Sequence, residues 1–106
     1  MKYTIIEVPD KNDSISRITL LGKQYHIRFT WNDTADYWSF GISDSLESPL
    51  VIGTKILPNY PLNLFWGNDE TPFGVFAALT KVKNVENVGR DDFTSGKARF
   101  VFIPAN

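Results

Sequence analysis

With 106 residues the chain is long enough for one packed domain and too short for two independent cores. Its 42 % hydrophobic and 22 % charged residues exclude the composition of a disordered chain. Eleven basic and twelve acidic residues, spread without runs, argue against nucleic acid as partner, and the absence of cysteine excludes disulfides and the usual zinc sites.

Met1 to Val8 is interrupted by Glu7 and followed by Pro9, so it does not read as a secretory signal. No run of about 18 apolar residues predicts a membrane helix, and synthesis in the cytoplasm is the expectation. From Ser14 to Leu20 a weak strand pattern sets Ser16, Ile18 and Leu20 against Ile15, Arg17 and Thr19. Leu21-Gly22-Lys23 is a tight connection, because Gly22 takes positive φ without a steric cost. The clearest strand follows, from Lys23 to Trp31: Tyr25, Ile27, Phe29 and Trp31 share one face, and Gln24, His26, Arg28 and Thr30 the other.

A polar turn from Asn32 to Asp36 leads to Tyr37–Ser43, in which Trp38, Phe40 and Ile42 oppose Tyr37, Ser39 and Gly41. After the loop Asp44–Pro49, the run Leu50–Leu57 is again β-rich, and Gly53 within it predicts a bulge, a bend or a close backbone approach. Pro58 to Phe73 breaks the pattern with Pro58, Pro61 and Pro72, leaving room for one helical turn near Leu62–Trp66. Gly74–Val82 resumes as a strand, Lys83–Gly96 is polar, and Lys97–Ile103 is the last strand, apolar on both faces in its second half. The expected fold is all-β, a single domain over residues 1–106 built as a small barrel or sandwich of about seven mostly antiparallel strands, with at most one short helical turn.

The residues that carry chemistry in enzymes are sparse here. His26 is the one histidine and has no cysteine to share a metal, so it reads as a surface or interface residue. The adjacent acidic pairs Asp69-Glu70 and Asp91-Asp92 fall in loops, where solvated turn residues are the ordinary explanation and two carboxylates do not face each other across a cleft. No nucleophile elbow, Walker loop or dinucleotide glycine pattern is present, so neither catalysis nor a cofactor is expected. The 14 % aromatic share supports either a dense core or a contact surface. Trp31 and Trp38 lie on apolar strand faces and read as core. Tyr60, Leu64, Phe65 and Trp66 in the irregular segment either anchor a partner or cap the end of the core. Exposed tryptophans on a β-sandwich also define an alternative, a carbohydrate-binding module.

Along most of its length the chain resembles a family of phage tail proteins, the baseplate plugs of contractile-tailed cyanophages. The resemblance rests on Gly22-Lys23-Gln24-Tyr25-His26-Ile27-Arg28, Trp31-Asn32, Trp38, Asp44, Pro49-Leu50-Val51-Ile52-Gly53 and Pro72-Phe73-Gly74, then Asp91-Asp92-Phe93 and Phe100-Val101-Phe102-Ile103-Pro104, in that order. The turn Asp33–Asp36 lacks a basic residue associated with the family there, and residues 58–73 contribute little to the match. The resemblance implies a structural virion component at the tail tip, made in the host cytoplasm. It would be seated between the hub or spike and the tail tube, in contact with those proteins and with ring-forming copies of itself, and with neither nucleic acid nor membrane as partner.

Overall fold

Period-two alternation becomes buried and exposed faces throughout the computed structural model, which describes residues 3–63, 72, 74–81 and 87–104. In chain order the elements are β1 (Thr4–Ile6), β2 (Asp13–Leu20), β3 (Lys23–Asn32), β4 (Tyr37–Asp44), β5 (Pro49–Lys55), β6 (Gly74–Thr80), α1 (Asp92–Ser95) and β7 (Ala98–Pro104). In β3, Tyr25, Ile27 and Phe29 are buried, and in β4 Trp38, Phe40 and Ile42, as the alternation predicts.

These strands form two antiparallel sheets, a four-stranded β2-β3-β4-β5 meander and a three-stranded sheet ordered β1-β7-β6. No ladder joins the two sheets among the described strands, so the architecture is a sandwich and not a closed barrel. The layers meet through aromatic rings. Phe100 of β7 stands 4.9 Å from Phe29 of β3 and 5.0 Å from Phe40 of β4, both edge-on, while Phe40 also lies 5.5 Å from Phe76 of β6. Edge-to-face pairs of this kind contribute roughly 0.5–1.5 kcal/mol each beyond the area they bury.

The turn between β2 and β3 holds Leu21 at φ 53° and Gly22 at φ 78°, the two positive angles that a two-residue hairpin needs to match strand twist. Gly53 sits at φ 69° in β5, where the β4–β5 register shifts between Phe40 and Ile42 and again between Ile42 and Ser43. That is the bulge expected at this glycine. The close approach occurs across the ladder at Gly41, where an added Cβ would lie 2.8 Å from the Val51 carbonyl oxygen.

Two features differ from the sequence reading. The strand that alternation did not locate is β1, only three residues long, held by pairing Thr4, Ile5 and Ile6 with Phe102, Val101 and Phe100. The described helical turn is at Asp92–Ser95, in the stretch read as polar loop, because local bonds favour it there. The Asp92 carboxylate accepts the Gly89 N–H at 2.7 Å, and Gly96 at φ 84° ends the turn. Leu62 and Asn63 are in a turn, and residues 64–66 lie outside the described residues.

Candidate interaction surface

The segment from Pro58 to Asn63 runs along the free side of β6 and occupies its backbone groups. Asn59 donates its backbone N–H to the Ala78 carbonyl at 2.7 Å and accepts the Thr80 N–H on its side-chain oxygen at 3.0 Å. Further along, Leu62 N–H reaches the Phe76 carbonyl at 2.8 Å. Asn63 then bridges two residues of β6, donating from Nδ2 to the Gly74 carbonyl at 2.8 Å and accepting the Phe76 N–H at 3.0 Å. Side-chain amides thus take the place of peptide groups, and this edge of the three-stranded sheet is closed to added strands.

Tyr60 lies on this segment and is 49 % exposed, so of the four residues expected to anchor a partner it has the accessibility such a role requires. Leu64, Phe65 and Trp66 lie outside the described residues. Exposed Leu57 precedes the segment, and Leu79 and Ile5 lie on the outer face of the same sheet. On that face the register lines up Ile5, Val101 and Ala77 across the three strands, with Val75 and Ile103 paired beside them. Val101 and Ala77 are buried although they lie outside the inter-sheet core cluster. The second half of β7 is therefore covered on both sides, as its composition predicts. Arg99 is the charged residue on an otherwise apolar outer face.

Sequence reasoning named Tyr60 as a candidate anchor and did not single out this outer face. The signal was present in Val75, Ala77, Leu79, Val101 and Ile103 at alternate positions, yet which strands adjoin was not readable from them.

The groups that would mark a catalytic centre are engaged structurally. No polar or charged residue is fully buried among the described residues, and no described cluster of His, Asp and Glu fits a metal ion. His26 places Nδ1 3.1 Å from the Asp44 carbonyl oxygen across the sheet. Of the acidic pair, Asp92 bonds Gly89, and Asp91 lies 3.7 Å from Arg90. Asp69 and Glu70 lie outside the described residues.

Arg90 ties the α1 approach to the β1–β2 crossover through Asn12 at 2.7 Å and Asp10 at 3.0 Å, with its guanidinium 5.4 Å from the Trp38 ring centre. Trp38 is 1 % exposed and donates its indole N–H to the Gly89 carbonyl at 3.2 Å, so it offers no face to a sugar. Trp31 is half-buried against Trp38, with ring centres 5.5 Å apart. Trp66, the third tryptophan of the carbohydrate alternative, lies outside the described residues.

On the other, four-stranded sheet an exposed bidentate ion pair joins β2 to β3. Arg28 donates from Nε and Nη2 to Asp13 at 2.8 and 2.7 Å, and Thr30 donates to the same carboxylate at 3.2 Å. Chiefly through the Arg28 hydrogen bonds, and against the desolvation that raises it, the Asp13 carboxyl is held below its ordinary pKa. It ties the edge strand β2 to β3.

Comparison with known proteins adds a family. A family model described as "Cyanophage baseplate Pam3 plug gp18" matches residues 1–105. No curated protein matches the chain.

Proposed function

Because the chain belongs to the cyanophage baseplate plug family typified by Pam3 gp18, we propose that it works as a rigid structural plug on the tail axis, between hub or spike and tail tube. Family membership makes it a virion component of the baseplate; its exact neighbours and its copy number are part of the proposal. The observation that supports contact-based action is the group of exposed apolar side chains on and beside the three-stranded sheet, Ile5, Leu57, Tyr60 and Leu79. Apolar and aromatic area of this kind is what protein interfaces bury.

In this reading the sandwich seals or shapes the lumen until ejection and moves as one body, because one core cluster joins both sheets. The same cluster supports treating residues 1–106 as one domain. Rotationally related copies would close a ring around the axis without leaving an open contact. No bond is made or broken by the chain itself.

Cryo-electron imaging of intact particles carrying a labelled copy of this protein tests the proposal. Label density on the axis at the tail tip is the expected result. Density along the sheath, at the head or at peripheral fibres would overturn it.

A further inference from the structure

β2 is the outermost strand of its sheet and pairs, among the described residues, with β3 alone. The hairpin closes at Leu20↔Lys23 around two residues of positive φ. In such hairpins the closing pair is hydrogen-bonded and bonded pairs recur at every second residue. Leu20, Ile18, Ser16 and Ser14 therefore turn their peptide groups to β3, whereas Thr19, Arg17, Ile15 and Asp13 turn theirs away. No described residue bonds those outward groups. The side chains of the same four residues are exposed, Ile15 at 60 %. Arg17 makes no ion pair among the described residues, and Asp13 presents a carboxylate held charged by Arg28.

We propose that two copies of this chain pair antiparallel through β2, about a twofold axis at Ile15, to make one continuous eight-stranded sheet. Charge selects the register. With Ile15 opposite the partner's Ile15, Asp13 faces the partner's Arg17 and Arg17 faces the partner's Asp13. Every one of these residues turns peptide groups outward, so each pair is of the hydrogen-bonded kind.

Sliding by two residues sets Ile15 against a charge. Sliding by four sets Asp13 against the partner's Asp13, or Arg17 against the partner's Arg17, and like charges directly opposite destabilise a ladder. A one-residue slip removes the match of donors and acceptors altogether. The other edges are less open to such pairing, since β1 is only three residues long, β6 is covered by Asn59 and Asn63, and β5 is bulged.

A twofold contact closes with two copies, so it describes the free chain and does not rest on the ring reading. The absence of cysteine makes the test direct, because a single introduced thiol can only bridge two chains. Hydrogen-bonded antiparallel partners stand about 5.5 Å apart at Cα, within disulfide range.

The Ile15→Cys variant is expected to cross-link at least tenfold faster than Arg17→Cys or the exposed loop variant Leu46→Cys. Sedimentation of the unmodified chain should show a mass rising with concentration from 12.0 kDa toward twice that value. Ile15→Pro, which deletes an outward N–H and leaves the β2–β3 ladder whole, should remain at 12.0 kDa. A constant 12.0 kDa for the unmodified chain, or Ile15→Cys cross-linking no faster than the two controls, would overturn the proposal and leave the family assignment untouched.

Discussion

Asn63 carries more of the fold than a turn residue ordinarily does, because its amide satisfies a carbonyl and an N–H of β6 at once. Asn63→Ala takes both of these part-buried bonds away and should cost about 1–3 kcal/mol in chemical denaturation. The Asn59 amide instead bonds the hydroxyl and the N–H of Thr80 in a more exposed place, and Asn59→Ala should cost less in the same measurement. Asp13 gives a second prediction at this scale. Its native pKa is depressed, so its contribution to stability is present above the ordinary value of 3.8 and fades as pH falls through the lower native value. Carboxyl-detected NMR should find its midpoint below 3.8, moving up toward 3.8 in the Arg28→Gln variant. Both side chains lie largely in water, so the accompanying change in stability should be small.

Elements whose strands alternate cleanly were legible to within a residue or so. Lys23–Trp31 was read where β3 spans Lys23–Asn32, and Tyr37–Ser43 where β4 spans Tyr37–Asp44. The sequence carries its own punctuation there, in Gly22 and in the polar turn before Tyr37. That turn is closed by Asn32, whose side chain accepts the Thr34 and Ala35 N–H groups. β1 was not legible because three residues are fewer than two periods of alternation, and its strand conformation is imposed by β7. α1 was missed because four residues show no helical period; its cause is a carboxylate bond to Gly89 and a left-handed glycine. The β2–β3 turn is imperfectly written, with Leu21 in a conformation that costs a leucine energy. Leu21→Asn should raise stability by up to about 1 kcal/mol in thermal unfolding, since Asn-Gly suits both positive angles.

For the whole molecule, stability depends on the two sheets stacking through Phe100. Its ring touches those of Phe29, Phe40, Phe76 and Phe93, which come from both layers and from α1. Phe100→Ala should cost roughly 3–5 kcal/mol in denaturant titration, with loss of near-ultraviolet aromatic signal. By itself the sequence determined which residues point inward and which outward, because side-chain direction in a strand follows from parity alone. It also determined where the turns of the meander fall. Whether the layers closed into a barrel or stacked as a sandwich was decided only in three dimensions, since that depends on which strand edges meet. The same holds for the surfaces proposed to act. The apolar face exists because β7 inserts between β1 and β6, and the open β2 edge exists because no described strand lies beside it. Neighbours distant in the chain are chosen by packing, and alternation within one strand carries no record of that choice.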